Sequence, residues 1–168
     1  MTALVRTASL GDASAIGEVS VLAWQGAYRG ILPDGYLDAL DPLERAGRWV
    51  NTLRTPPPRS EVLVVQEATQ VVGFAAIGPC REDSTIGELY AINLRPDNWA
   101  RGVGTVLIEA AMQRLRRFGF EVAVLWVIPA NQRARRFYEA RGWHADNVER
   151  HQEVNDIVVP EIRYRTGL

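Results

Sequence analysis

A chain of 168 residues, 47% of them hydrophobic and with a net charge of -1, has apolar material for the core of one domain and gives no electrostatic footing for nucleic acid or an anionic membrane as main partner. All nineteen basic residues are Arg, which excludes a P-loop or Schiff-base lysine. The single cysteine, Cys80, excludes an internal disulfide, and two histidines, His144 and His151, are too few for most metal sites. No run of about 18 apolar residues is present, and the opening MTALVRTASLGD lacks a signal-peptide core, so one cytoplasmic domain over residues 1–168 is expected.

Leu4 to Ala8 reads as a short strand, and Ser9-Leu10-Gly11-Asp12 as a turn with capping residues. Ile16, Val19, Leu22 and Ala23 mark one face of a helix, with Gly26 and Gly30 loosening its end. Pro33 opens a second helical region to about Leu53, broken near Asp41-Pro42, and the Pro56-Pro57-Pro58 run is a loop. Val62 to Gln66 and Val71 to Ile77 form a hairpin around Gln70, and Glu88 to Leu94 is a third strand. Gly102 to Phe118 has the apolar period of a helix, stopped by Gly119. Val122 to Ile128 is apolar enough for a buried central strand. Asn131 to Arg141 is a short helix, and Val148 to Glu153 and Ile157 to Arg165 are closing strands. The order predicts an α/β fold in which the helix over 102–118 is a crossover, making the strands at 88–94 and 122–128 parallel.

Two segments carry chemistry. Trp99-Ala100-Arg101-Gly102-Val103-Gly104-Thr105 lies between a strand and an amphipathic helix. Its glycines allow close backbone approach, and the first-turn amides with the helix dipole form an anion site suited to a pyrophosphate, to which Arg101 adds charge. On local sequence alone a tight turn explains it as well. It is not a Walker loop, and Leu107 stands where the dinucleotide pattern needs its third glycine. The second segment begins at Asn131, a natural helix cap, and places Ala134 and Tyr138 on one helix face with Phe137 beside them. Tyr138 read by itself is equally a core aromatic.

Together these segments resemble the GNAT superfamily of N-acetyltransferases. The family motif Gln/Arg-x-x-Gly-x-Gly/Ala matches Gly102 and Gly104, with Trp99 departing at the first place. Asn-x-x-Ala-x-x-x-Tyr followed by Gly and an aromatic matches Asn131, Ala134, Tyr138, Gly142 and Trp143. The resemblance spans Val62 to Trp143, and the stretch Ala23 to Pro33 is similar to a bacterial GNAT subgroup of mostly unassigned substrate. It implies a mixed central sheet of about six to seven strands flanked by about four helices. It also implies an acetyl-CoA cleft between the two parallel strands, with the pantetheine arm along Ile92, Asn93 and Leu94, and the pyrophosphate on Arg101, Gly102, Val103, Gly104 and Thr105. Trp99, Asn131, Ala134, Phe137 and Tyr138 would complete the cofactor contacts, and Arg135 or Arg136 would reach the 3′-phosphate.

The implied activity is acetyl transfer from acetyl-CoA to the primary amine of a small molecule or peptide; the alternative is a non-catalytic acyl-CoA-binding module. An amine of pKa about 10 must lose a proton, and a thiolate leaving group of pKa about 8.5 gains from a donor. Tyr138 matches the family's general acid. Glu88 matches a position where several members carry a base, with an amine anchor or a solvent-facing strand residue as its other readings. An Asn93 amide is the expected oxyanion donor. Trp24, Tyr28 and Tyr36, with the Pro56–Pro58 loop and the 148–156 segment, are expected to shape the acceptor site, and Asp34, Asp38, Glu149 and Asp156 to attract a cation. His151 and Cys80 are read as structural, and a homodimer is compatible with the sequence.

Overall fold

In the computed structural model, which describes residues 2–168, the chain forms a seven-stranded sheet. The strands are β1 (Leu4–Thr7), β2 (Glu61–Glu67), β3 (Gln70–Pro79), β4 (Gly87–Leu94), β5 (Val122–Val127), β6 (His144–Val154) and β7 (Ile157–Gly167), in spatial order β1-β2-β3-β4-β5-β7-β6. Every neighbouring pair is antiparallel except β4 and β5, which run parallel as the crossover requires. Five α-helices accompany the sheet among the described residues: α1 (Ala13–Tyr28), α2 (Asp34–Asp38), α3 (Pro42–Arg54), α4 (Val103–Arg117) and α5 (Gln132–Glu139).

The sheet separates two cores. On one face α4 packs Leu107, Ile108 and Leu115 against Leu63, Ile77 and Leu125. On the other face Ile16 and Val19 of α1 lie on Val62, Val64 and Phe74, and Trp49 of α3 meets Phe74 edge-on at 5.3 Å. A third cluster gathers Leu32, Leu37, Ile128 and Val159 under α2. No helix among the described residues is long and apolar enough to cross a membrane.

Local chemistry explains the helix ends. Asp41 accepts from the Leu43 N–H at 2.9 Å with Pro42 at the first position, so the helical region after Pro33 is two helices rather than one. Gly119 and Gly142 follow α4 and α5 with φ of 88° and 83°, the left-handed conformation in which a chain leaves a helix.

Two boundaries differ from expectation. Helix α1 continues through Gly26 to Tyr28, and Gly26 stands at a close contact, where a Cβ would be 2.8 Å from Pro96 Cγ and 2.9 Å from Trp99 Cη2. That glycine serves contact, not helix termination. Strand β6 starts at His144, where the polar stretch His144 to Asn147 has no strand signal of its own. Main-chain pairing of His144 with Arg165 carries it, with a bulge between Ala145 and Glu149.

The closest helix contact is between α1 and α3. A Cβ on Gly17 would be 2.7 Å from Ala46 N and would also run into the Pro42 carbonyl, both backbone atoms. Gly17→Ala is therefore expected to lower stability by about 1–3 kcal/mol through overpacking, despite the ~1 kcal/mol of helix propensity it gains. Denaturant unfolding of the variant measures this, and unchanged or raised stability refutes the tight crossing.

Candidate active site

Strands β4 and β5 pair only at Gly87↔Ala123 and Glu88↔Val124. Beyond Glu88, β4 carries a bulge: Ile77 faces Leu89 and Ala76 faces Ala91, so Tyr90 has no opposite residue on β3. The extra residue bends the strand and increases its twist, turning it away from β5. A cleft opens between two strands that started as neighbours.

The hydrogen-bond phase of β4 determines what faces the cleft. The Arg95 N–H donates to the Val72 carbonyl at 2.9 Å, and Leu94 and Asn93 lie opposite Gly73 and Phe74. Alternation along an antiparallel ladder then points the Asn93 N–H and C=O at β3, and those of Ile92 and Leu94 toward the cleft. The expectation that Asn93 gives its amide to an oxyanion is corrected: that amide is spent on β3. The side chain of Asn93 still lines the cleft. The Leu94 carbonyl accepts from the Trp99 indole N–H at 3.1 Å.

A cavity of about 110 Å³ lies along this edge. Ile92, Asn93 and Leu94 form its β4 wall; Asn131, Ala134, Phe137 and Tyr138 form its α5 wall; Trp99 and Gly104 close the α4 end. A Cβ on Gly104 would stand 3.0 Å from Leu94 Cδ1 and 3.2 Å from Phe137 Cε2. Gly104 thus keeps the cavity open between two apolar side chains. Gly102 has φ of 83° and caps α4 in the left-handed conformation. The Thr105 N–H turns back to the Gly102 carbonyl at 3.1 Å, so the free first-turn amides are those of Val103 and Gly104, not that of Thr105. The Val103 side chain is buried in the core. Asn131 caps α5, its Oδ1 accepting from the Ala134 N–H at 3.2 Å.

The charges around the loop are arranged differently from expectation. Arg101 is paired with Glu67 at 3.5 Å and is turned toward β2. Arg135 is committed to the fold, donating to Tyr164 Oη at 3.0 Å and to the Pro129 carbonyl at 3.1 Å, while Arg136 is exposed. Two other arginines sit at the cleft. Arg133 lies over the Trp99 ring at 3.5 Å. Arg141 lies over Phe137 at 3.9 Å and donates to Thr105 Oγ1 in the first turn of α4, with its buried Nε unpartnered. Neither position carries a sequence signal, because the contacts of Arg133 with Trp99 and of Arg141 with Thr105 join residues far apart in the chain.

A second cavity, of about 310 Å³, opens at the parting of the strands and holds both Glu88 and Tyr138. Glu88 is 3% exposed, and its Oε2 accepts from the Arg81 N–H at 3.2 Å. Tyr138 is buried, and desolvation pushes its hydroxyl pKa well above the ordinary tyrosine value, with nearby Arg133 opposing the shift. The Tyr164 hydroxyl is tied to Glu139 at 2.6 Å, whereas no side-chain hydrogen bond of the described residues engages the Tyr138 hydroxyl. Trp24 and Tyr28 line this cavity and meet edge-on at 5.0 Å. Tyr36 does not line it, packing instead with the cluster under α2. Asp34 and Asp38 are exposed and share Arg29 as a partner, at 3.2 and 2.5 Å. Cys80 is a buried free thiol, and His151 is exposed on β6.

Comparison with known proteins fits this geometry. A mycothiol acetyltransferase of Propionibacterium freudenreichii is 33% identical over 87 residues, which are 51% of this chain and 28% of that protein. The chain thus spans under a third of that relative's length. An uncharacterized N-acetyltransferase of Archaeoglobus fulgidus is 32% identical over 119 residues, covering 68% of this chain and 78% of that one. The crystal structure of PaiA N-acetyltransferase from Thermoplasma acidophilum in complex with coenzyme A superposes over 100% of both chains with a TM-score of 0.83 at 17% identity. The family model described as Acetyltransferase (GNAT) matches residues 22–143, a span that takes in both parting strands and both helices flanking them, and the chain belongs to that family.

Proposed function

We propose that the protein is an acetyl-CoA-dependent N-acetyltransferase that moves acetyl directly to a primary amine. The observation that carries this reading is the free edge of β4, which leads from the paired Gly87–Glu88 to the open first turn of α4. An elongated ligand with amide groups at one end and phosphates at the other fits that edge. Ile92 and Leu94 offer it strand-like backbone pairing. The Val103 and Gly104 amides, the α4 dipole and Arg141 offer a phosphate site, and a guanidinium at a helix N-terminus is itself better placed once an anion arrives. The names of the relatives support the same chemistry: one is a mycothiol acetyltransferase, and one N-acetyltransferase is solved with coenzyme A.

Bound acetyl-CoA supplies the thioester, whose C–S bond breaks as the new C–N bond forms. Within the protein, Glu88 takes a proton from the acceptor ammonium, directly or through a water, and Trp24 and Tyr28 wall the approach. The buried Tyr138 keeps its proton at neutral pH and is positioned to give it to the departing sulfur. The Ile92 amide, facing the cleft, replaces Asn93 as the donor available to the carbonyl oxygen. Calorimetry with acetyl-CoA against NAD and ATP tests the ligand, and thiol release with an amine panel tests transfer. Binding of acetyl-CoA with no transfer to any amine would instead make the protein a non-catalytic acyl-CoA-binding module.

Gly104→Val fills the space between Leu94 and Phe137 and is expected to weaken acetyl-CoA at least about tenfold, or ~1.4 kcal/mol. Unchanged affinity in a folded variant overturns the assignment of this cavity to the cofactor.

Tyr138→Phe removes a hydroxyl that stabilises nothing by hydrogen bonding, so the melting temperature should hold while turnover drops by roughly a hundredfold with cofactor affinity kept. A wild-type rate removes Tyr138 from the mechanism.

Glu88→Gln keeps the size and loses the basic site. A base predicts a rate deficit at neutral pH that narrows as pH rises toward the amine's own pKa, because more acceptor arrives deprotonated. An anchor predicts a raised KM with kcat intact. Superimposable pH–rate profiles for variant and wild type eliminate both roles.

A further inference from the structure

A third cavity, of about 530 Å³, lies between the sheet and α1 and α3. Its apolar walls are Trp24, Trp49, Phe74 and Tyr90, and Pro56 and Pro57 reach its rim. It shares Trp24, Arg81, Tyr90, Ala91 and Asn93 with the cavity that holds Glu88 and Tyr138, so the two cavities adjoin.

The charges on this wall are unbalanced. Arg48 is matched by Glu44 at 2.6 Å, and Glu61 is held by Thr7 at 2.5 Å and lies 3.7 Å from Arg114. Arg45 and Arg81 have no carboxylate partner among the described residues. Arg45 is half-buried, lies over the Trp24 ring at 4.5 Å, and donates to Ser20 Oγ at 3.3 Å. Burial pulls its pKa below the ordinary guanidinium value, and the opposing pull of Tyr36 and Glu44 does not restore it. Arg81 lies over Tyr90 at 4.6 Å, where the two cavities meet. Holding a half-buried guanidinium without a counter-ion is unfavourable unless a ligand brings one.

We infer that the acceptor is a small primary amine that also carries a carboxylate, as an amino acid does, with the amine at Glu88 and the carboxylate at Arg45, and with Arg81 flanking the passage between them. This rests on the reading of the protein as an amine acetyltransferase. Asp34 and Asp38, the acids that could favour a polycation, line neither cavity and share Arg29 as a partner. The aromatic faces under both guanidiniums hold them in place; Arg45 Nη1 donates to Ser20 Oγ, and its other N–H groups are the ones a carboxylate would meet.

The test is acetyl-CoA-dependent thiol release with a paired panel. It contains α-, β- and γ-amino acids and short dipeptides, each beside its C-terminal amide, together with simple aliphatic diamines. The carboxylate forms should be preferred, with amidation raising KM at least about tenfold, the size of one lost charge-assisted contact. In Arg45→Met the ratio of kcat/KM between acid and amide should collapse toward one, and Arg45→Lys should restore part of it. Arg81→Gln, at an exposed position, repeats the test where the packing of α3 is untouched. In thermal unfolding, N-acetyl amino acids should stabilise the wild type more than Arg45→Met. Equal use of acids and amides, preference for diamines, or a ratio unmoved by both variants overturns the inference while leaving amine acetylation standing. Acetyl-CoA binding without transfer to any member of the panel overturns both.

Discussion

The parting of β4 from β5 is the constraint on which the rest of the site depends. Two parallel strands joined by a crossover helix would ordinarily pair along their length, and here they pair at two positions. The bulge at Tyr90 supplies the bend, and the side chains that fill the gap come from α5 and from Trp99. Because a parted strand edge leaves backbone groups unpaired, the cleft is a demand as well as a space: the Ile92 and Leu94 amides need partners that the fold does not provide. Glu88, the last paired residue, and Tyr138 line one cavity at this bend.

Trp99 shows how a departure from a family motif is accommodated. Its indole N–H holds the Leu94 carbonyl, its ring carries the Arg133 guanidinium, and its far edge fills the space left by the missing Cβ of Gly26. One side chain therefore ties α1, β4 and α5 to the loop before α4. The backbone of that loop keeps its left-handed Gly102 and its free amides, so the anion site proposed there does not depend on which residue stands at 99.

Arginine pairing divides the molecule by task. Arg101, Arg95 and Arg163 are matched by carboxylates and serve the surface and strand pairs, while Arg150, paired with Glu161, also lies over Trp126 and lines the cavity that holds Glu88. Arg45, Arg81, Arg133 and Arg141 have no carboxylate partner among the described residues, lie on aromatic faces, and line or border the cavities. An exposed ion pair contributes little to stability, whereas a guanidinium held on an aromatic ring without a carboxylate partner is placed for an anionic ligand. The absence of lysine concentrates every such role in arginine, whose planar fork suits carboxylate and phosphate alike.

Much of this was legible from residue order. Apolar periodicity located the crossover helix and the strands on either side, and hence the parallel pair. The glycine spacing at 102 and 104, with Asn131, Ala134 and Tyr138, located the cleft's two helices. These signals are local, because a helix period, a cap or a left-handed glycine is a property of neighbouring residues. What only the tertiary structure decided are relations between distant segments. The ladder phase that spends the Asn93 amide on β3 and frees that of Ile92 depends on register with β3. The role of Gly104 depends on Leu94 and Phe137 meeting over it, and the commitment of Arg135 to Tyr164 depends on where β7 returns. Which arginine is paired and which is free is likewise a matter of proximity in space. Composition and spacing state how many charges a chain carries and what its neighbours are, but only packing brings a carboxylate within reach of one guanidinium and leaves another over a ring.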